Sequence, residues 1–239
     1  MTVTYLNKSL KTNGFSLIEM AIALAVIGFL VGGLLKPMAL TKDYKKIKYT
    51  DATLEQIKEA LVGFAIVNNR LPCPAMCFEY NGKDSDCLNG IYDIADVGKE
   101  TTDSAFCQQE GYLPWADLGI GKYDAWNNPF YYRVDKNYSA ISGIISSLKT
   151  DSSEKLTVNY KQTGNNLTTY EKDGNSRIIA IILSHGKNDK AESSNKITIA
   201  NDPTYVQGHY VGNIFDDRVT WLSKYTLTNH LAKSRDLPQ

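Results

Sequence analysis

One acidic residue lies inside an apolar run near the start of the chain. Residues 14–35 read GFSLIEMAIALAVIGFLVGGLL, and Glu19 is the only charged side chain among them. A run of this length is sufficient to cross a lipid bilayer. A carboxylate at the bilayer centre costs about 2.5 kcal/mol or more, so an acid kept at such a position indicates a function rather than simple anchoring.

Proteolysis could create the charge that pairs with Glu19. If the chain is cut between Gly14 and Phe15, the new amino group of Phe15 lies at the same membrane depth as the carboxylate. Opposite charges attract strongly where the dielectric is low, and removing one partner of such a pair is costly. The pair could form within one helix. It could also form between two parallel helices offset by roughly one turn, and it would then set the register of an assembly.

The residues before this bond have the composition of a short leader. Residues 1–14 are mostly polar, and Lys8 and Lys11 are their charged side chains. A secretory signal peptide would place its cleavage site after the apolar run, beside small residues. Here the run ends in GGLLKP, without an A-x-A pattern. A cut after Gly14 would remove the leader and keep the apolar helix.

Residues 14–20, which read GFSLIEM, resemble the processing site of type IV pilins and type II secretion pseudopilins. In that family a membrane-embedded prepilin peptidase cuts after the glycine and methylates the new N-terminal residue. The resemblance implies that Gly14 is the cleavage residue, Phe15 the methylated N-terminus and Glu19 the acid that guides packing into a helical filament. It also implies other pilin or pseudopilin subunits and an inner-membrane assembly platform as partners.

Composition and net charge give no indication of a further, highly charged partner. The chain has 239 residues, with 26 basic and 26 acidic side chains and a formal net charge of zero. A leader and a membrane span leave about 200 residues, which is enough for one domain with its own core. We predict no nucleic-acid partner, because no excess of positive charge is present.

The four cysteines are clustered in one part of the chain. They are Cys73, Cys77, Cys87 and Cys107, and all follow the apolar run. In a periplasmic domain we expect them to form one or two disulfides, and three pairings are possible. A zinc site is the less favoured alternative, because the spacing is not C-x-x-C and the three histidines are distant in sequence.

Two features disagree about the side of the membrane on which the C-terminal domain lies. Five lysines between residues 36 and 48 outnumber the two in the leader, and the positive-inside rule would therefore place that domain in the cytoplasm. The processing motif and the clustered cysteines indicate the periplasm. We follow these and predict a single-pass protein of the bacterial inner membrane, or of a pilus or pseudopilus, with a periplasmic C-terminal domain.

The elements that would position these residues begin with a long helix. We predict one helix from Phe15 to about Asn68, with a membrane-spanning half over 15–36 and an amphipathic half over 37–70. Pro37 should kink it or mark a short break. The second half has an apolar stripe with helical spacing, formed by Leu54, Ile57, Leu61 and Phe64.

A disulfide-braced globular domain is predicted over residues 71–239. Residues 75–112 lack periodicity and are typical of a loop, and a short closing helix is predicted over 226–233. The segments with strand character are 129–134, 155–160, 177–183, 196–199 and 218–222. The predicted fold class is therefore α+β, with a long N-terminal helix packed on an antiparallel sheet, as in pilins.

Two sites in this domain could carry chemistry. Ser184 and His185 are adjacent, but they lack a G-x-S-x-G elbow and neighbours on a strand point to opposite faces, so we predict a strand-end turn. Asp216 and Asp217 offer hard oxygen ligands for calcium, but without EF-hand spacing we favour an ion-pair or turn role. We accordingly predict no metal or cofactor, with calcium as the open alternative.

The sequence predicts a protein that works by assembly and not an enzyme. We expect a structural subunit of a type II secretion or type IV pilus-like filament, and the residues do not separate a pseudopilin from a minor pilin. The alternative is a membrane-anchored periplasmic enzyme or binding protein. The sequence contains no nucleophile or acid–base pair that clearly supports it.

Overall fold

The computed structural model describes residues 14–75, 97–101, 110–140, 144, 155–168, 177–192, 194–195, 203–212 and 214–235. The chain divides into two compact units, residues 1–45 and residues 46–239. Helix α1 (Leu17–Asn68) begins in the first unit and ends in the second. The other elements belong to the second unit and are β1 (Glu110–Tyr112), α2 (Trp115–Leu118), β2 (Phe130–Val134), α3 (Lys136–Ser139), β3 (Thr157–Tyr160), β4 (Ile178–Ser184), β5 (Thr204–Gln207), β6 (Arg218–Ser223) and α4 (Lys224–Arg235).

The C-terminal end of α1 lies where the sequence predicts it. Asn69 adopts a left-handed backbone with φ 57°, and its amide donates to the carbonyl of Ala65 at 2.9 Å. This geometry is a common way to end a helix, and asparagine tolerates it. Pro72 follows shortly after, where a proline cannot continue a helix.

The helix continues through Pro37, so the short break, one of the two predicted effects of this proline, is absent; the kink stays a prediction. A proline inside a helix removes one backbone hydrogen bond, but the flanking turns can remain helical. In the part of the chain that the structure describes, no helix is both long enough and apolar enough to cross a membrane.

The main sheet is antiparallel and has the strand order β1-β2-β4-β6. Strand β4 lies in its interior, with Tyr132 of β2 opposite Ile182 on one side and Thr220 of β6 opposite Ile182 on the other. All seven residues of β4 are buried. A strand that is covered on both faces needs no polar alternation, which explains the continuous apolar run that predicted it.

One face of this sheet packs against α1. A single buried cluster joins α1 and α4 to side chains of β2, β4 and β6, including Leu54, Ile57, Leu61, Phe130, Tyr132, Ile182, Leu222 and Leu227. The stripe predicted on α1 is therefore its buried face, except that Phe64 is only half-buried. The structure confirms an α+β fold in which the N-terminal helix packs on an antiparallel sheet.

The opposite face is covered by a small second sheet. Its strand β3 lies within the strand predicted over 155–160, whereas its other strand, β5, was not predicted. Strands β3 and β5 pair in parallel, with Val158 opposite Tyr205. They form a second buried cluster with Ile181 and Leu183 of β4. The main sheet thus lies between a helical layer and a two-stranded layer.

Several predicted boundaries need correction. Strand β1 lies at the end of the segment predicted to be loop, where Tyr112 also bridges to Ala75. The predicted strand over 196–199 lies outside the described residues, while β5 follows it at Thr204–Gln207. The closing helix is longer than predicted at both ends.

Candidate functional site

The predicted cleavage position lies just before the first turn of α1. Residues 14–16 precede the helix and are exposed, and the side chain of Phe15 is 82% exposed. A Cβ atom added at Gly14 would contact nothing within 4 Å. The Gly14–Phe15 bond is therefore open to a peptidase, and substitution of the glycine would not disturb the fold around it.

Glu19 is turned back towards the start of its own helix. The backbone amide of Ser16 donates to Oε2 of Glu19 at 3.3 Å, while the carbonyl of Ser16 accepts from the amide of Met20 at 3.1 Å. Ser16 is thus the N-cap residue and Glu19 is the third residue of the helix. Their contact is the glutamate half of a capping box.

The cap places the carboxylate where a new amine would appear. Phe15 directly precedes Ser16, so cleavage after Gly14 would form an amino group one residue from the amide that Glu19 accepts. An anion in the first turn also interacts favourably with the positive end of the helix dipole. Ser16 was missed as a functional residue, although the pattern S-x-x-E was a sequence signal for it.

A second group of candidate residues lies in the C-terminal unit. The predicted calcium candidates, Asp216 and Asp217, directly precede β6 and are 1% and 0% exposed. Glu192, which the sequence analysis did not identify, joins them from the segment after β4. One ligand oxygen from each of the three carboxylates lies within 4.8 Å of the others.

Backbone amides hold the three acidic side chains in place. Oδ2 of Asp216 accepts from the amides of Lys187 at 2.7 Å and Asn188 at 2.9 Å. Oε2 of Glu192 accepts from the amides of Asp216 at 2.8 Å and Asp217 at 3.2 Å. The segment after β4 and the start of β6 are therefore tied together by reciprocal side-chain to backbone bonds.

Burial affects the ionisation of this cluster. Burial, with the negative charges of Glu192 and Asp216 adding to it, raises the pKa of Asp217 to about 7. Burial and a hydrogen bond with Glu192 raise the pKa of Asp216 to about 6. Burial also opposes the ionisation of Glu192, but the hydrogen bonds it accepts leave its pKa below the ordinary value.

The guanidinium group next in sequence is engaged elsewhere. Arg218 binds Asp51 of α1 through two bonds, Nε to Oδ1 at 2.7 Å and Nη2 to Oδ2 at 2.9 Å. Arg218, the nearest cation in sequence with which the two aspartates could have formed the predicted ion pair, thus pairs with Asp51 of α1 instead. The alternative turn role agrees with the structure, because Asp216 accepts hydrogen bonds from the backbone amides of residues 187 and 188, which lie in the turn after β4.

Ser184 and His185 contact different neighbours. Oγ of Ser184 donates to Oδ2 of Asp124 at 2.6 Å. The His185 ring instead lies against the ring of Tyr131, tilted by 32° with the ring centroids 4.4 Å apart, and its Nε2 lies 3.3 Å from the carbonyl oxygen of Asn195. The two side chains do not form a nucleophile–base pair. A turn follows them, in which Gly186 has φ 63° and lies too close to the backbone of Asp216 to accept a Cβ atom.

Of the four cysteines, Cys73 falls within the described residues. Its side chain is 5% exposed and is disulfide-bonded. Cys77, Cys87 and Cys107 lie outside the described residues. The pairing of the four therefore stays a prediction.

Comparison with known proteins identifies the N-terminal segment. Residues 10–35 match a family model described as the prokaryotic N-terminal methylation motif, which is characteristic of type IV pilins and pseudopilins. The chain carries this motif, with Gly14, Phe15 and Glu19 inside it. The match supports a type IV pilin-like subunit that is processed by prepilin peptidase and assembles with other pilin subunits. No curated protein and no solved structure matches the chain.

Proposed function

We propose that this chain is a structural subunit, a minor pilin or a pseudopilin, of a type IV pilus-like filament or a type II secretion pseudopilus. Its precursor is anchored in the bacterial inner membrane through residues 15–36, with the C-terminal domain in the periplasm. Prepilin peptidase cuts after Gly14 and methylates Phe15, and the subunit then joins a filament on an inner-membrane assembly platform. The protein acts by assembly rather than by catalysis.

The match of residues 10–35 to the methylation motif is the observation that carries this proposal. The local geometry supports it in two ways. The Gly14–Phe15 bond precedes the helix in an exposed segment, as a processing site requires. The carboxylate of Glu19 is held beside the position of the new amine through its bond from Ser16.

The exposed apolar side chains of the first unit give this assembly a driving force. Phe15, Leu17 and Phe29 are each more than 80% exposed within the single chain. In water such side chains favour burial, at roughly 25 cal/mol per Å² of apolar surface. Lipid in the precursor and neighbouring helices in a filament would each cover them.

The processing step can be tested by replacing Gly14 with valine. Because a Cβ atom at this position meets nothing within 4 Å, the variant should fold normally and fail only in recognition by the peptidase. Gly63→Val is a matched control, since Gly63 is exposed, also has open space around its Cα, and lies outside the motif.

Intact-mass spectrometry of protein from cells with active prepilin peptidase provides the measurement. The native chain and Gly63→Val should lack residues 1–14 and carry one added methyl group, while Gly14→Val should retain Met1. If the native chain itself keeps its leader when the peptidase is active, the proposal is wrong. Cells without the peptidase give the mass of the uncut precursor.

A further inference from the structure

One edge of the main sheet is open among the residues that the structure describes. The strand order β1-β2-β4-β6 puts β1 and β6 at the two edges. At the β1 edge, Tyr112 exchanges backbone hydrogen bonds with Ala75 at 2.8 and 3.0 Å. On the outer side of β6, no strand of the described chain is paired. The two edges therefore differ, and β6 is the one that can accept another strand.

The backbone groups on this outer side belong to Val219 and Trp221. In an antiparallel pair, alternate residues of a strand direct both N–H and C=O to the same neighbour. The amide of Lys224 donates to the carbonyl of Arg177 at 2.8 Å, so the even-numbered residues of β6 face β4 and the odd-numbered ones face outwards. Within the described part of the chain, the N–H and C=O groups of Val219 and Trp221 have no hydrogen-bond partner. They offer donors and acceptors to an incoming strand.

A cavity of about 410 Å³ lies along the same edge. It is bounded on one side by Asp51, Leu54, Glu55 and Lys58 of α1, and on the other by β6 and by Gln207 at the end of β5. Cavities that bind ligands typically measure roughly 300–1,000 Å³. An extended segment added to β6 would therefore have space beside the strand and would be covered by α1 on one face.

The sequence of β6 lacks the features that usually protect an edge strand. Natural edges often carry lysine, proline or a bulge, which prevent pairing with another chain. Residues 219–222 read VTWL, without a charge or a proline, and such residues favour strands. The irregularity in this pairing lies between Ile178 and Ala180 of β4, so β6 itself stays regular. An unprotected edge beside a cavity indicates a docking position.

The rim of the cavity on the α1 side is acidic. Asp51 pairs with Arg218, and Glu55 pairs with Lys58. The side chains of the two acids are 42% and 59% exposed, whereas those of Arg218 and Lys58 are 18% and 21% exposed. The cations thus lie deeper, and the carboxylates present their charge to an approaching segment. Exposed charges of this kind select partners of the opposite sign.

We propose that the outer edge of β6 binds an extended segment of a partner protein, in which basic side chains alternate with apolar ones. Successive side chains of a strand point to opposite faces. The basic ones would face Asp51 and Glu55, and the apolar ones would face Trp221, which packs against the buried cluster of the second sheet. Backbone bonds to Val219 and Trp221 would supply affinity, and the alternating side chains specificity.

This binding role goes beyond the assembly role of the N-terminal segment. It concerns only the second unit, so either proposal can fail while the other stands. The sample for the test is the full chain in a non-ionic detergent. It is titrated with the blocked peptide KVKVKVK and, for comparison, with EVEVEVE, at physiological ionic strength. Binding is measured by calorimetry, and hydrogen exchange of the Val219 and Trp221 amides is followed by NMR.

We expect one KVKVKVK peptide to bind per chain and to protect the amides of Val219 and Trp221 from exchange. The glutamate peptide should bind at least about tenfold more weakly, because its charges face the acidic rim. Strand pairing itself is tested with two further lysine peptides, one N-methylated at the valines and the other at the lysines. Since alternate amides point to opposite edges of a strand, one methylated peptide should lose binding and the other should keep it.

Glu55→Lys identifies the rim. The Glu55 side chain is largely exposed and its ion pair with Lys58 lies at the surface, so the variant should fold normally. It should weaken binding of KVKVKVK and strengthen binding of EVEVEVE. Glu59→Lys is the matched control, because Glu59 is an exposed acid on the same helix that does not line the cavity. This variant should keep the preference of the native chain.

Each contrary result overturns the proposal. Failure of the native chain to bind KVKVKVK would do so without any variant. Protection of the Val219 and Trp221 amides before peptide is added would show that another part of the chain or a second copy already occupies the edge, and light scattering would tell these two apart. Equal binding of the two methylated peptides would indicate charge attraction without strand pairing. An unaltered preference in Glu55→Lys would overturn the assignment of a basic partner.

Discussion

Replacing Ile57 with alanine tests whether the second half of α1 is held by packing against the sheet. Ile57 is 0% exposed and shares a buried cluster with Phe130 and Ile182. The change removes three carbon atoms, worth about 2.4 kcal/mol at about 0.8 kcal/mol each. A cavity term adds to this loss, so we expect the free energy of unfolding to fall by about 3–4 kcal/mol.

Val67→Ala is the matched control on the same helix. Val67 is 81% exposed, so its truncation should change the free energy of unfolding by no more than about 0.5 kcal/mol. Both variants can be compared with the native chain by urea unfolding followed through tryptophan fluorescence. If the slope of the free energy of unfolding against urea concentration is the same in all three chains, the change lies in the stability of the folded state and not in the compactness of the unfolded chain.

Two results would contradict the packing argument. A loss below about 1 kcal/mol for Ile57→Ala would mean that the core does not depend on this side chain. Equal losses in both variants would mean that the buried and exposed faces of α1 contribute alike. Either result would mean that packing of α1 against the sheet does not contribute the stability that the structure predicts.

Three further predictions concern charged groups. Glu19→Gln keeps an acceptor for the amide of Ser16 but removes the charge, whereas Glu19→Ala removes both. Incorporation of each variant into filaments can be measured in sheared filament fractions. An equal loss in the two variants would show that assembly depends on the charge of Glu19 and not on its capping bond. Arg218→Ala should lower the free energy of unfolding by no more than about 1 kcal/mol, because Asp51 is half-exposed and stays hydrated, and a double-mutant cycle with Asp51→Ala measures the pair. Burial lowers the pKa of His185, so the unfolded chain takes up a proton below about pH 6.5 while the folded chain resists it, and this group destabilises the fold as the pH falls. The raised pKa values of Asp216 and Asp217 act in the opposite direction over the same range, so the prediction concerns the difference between two chains: below about pH 6.5, melting temperatures of His185→Gln should fall less, or rise more, than those of the native chain.

The parts of the fold that were predictable are those with strong local patterns. The stripe on α1 and the unbroken apolar run of β4 each reflect burial that a single segment reveals. Strand β1 has only three residues, too few for an alternation to show. Strand β5 pairs with β3 across more than forty residues of chain, and no local pattern reports a partner at that distance.

The two candidate sites also differ in whether a local sequence pattern reveals them. Gly14, Phe15, Ser16 and Glu19 are neighbours in sequence, so their spacing contains the whole site. The acidic cluster forms only when the chain folds, because Glu192 lies 24 residues before Asp216. The sequence therefore offered the adjacent aspartates without their third member and without the bonds that orient them.

The capping contact bears on how the proposed filament would set its register. Oε2 of Glu19 already accepts the amide of Ser16 in the single chain, and cleavage would place the Phe15 amine beside it. Pairing within one helix would keep the carboxylate close to the place where the bond from Ser16 already holds it, whereas pairing with a neighbouring subunit must compete with that bond. If the contact stays within the subunit, the carboxylate neutralises its own N-terminus and lowers the cost of its burial. The register between subunits would then come from the packing of exposed apolar side chains such as Phe29 and Leu30, and substitutions there would change filament geometry without changing processing.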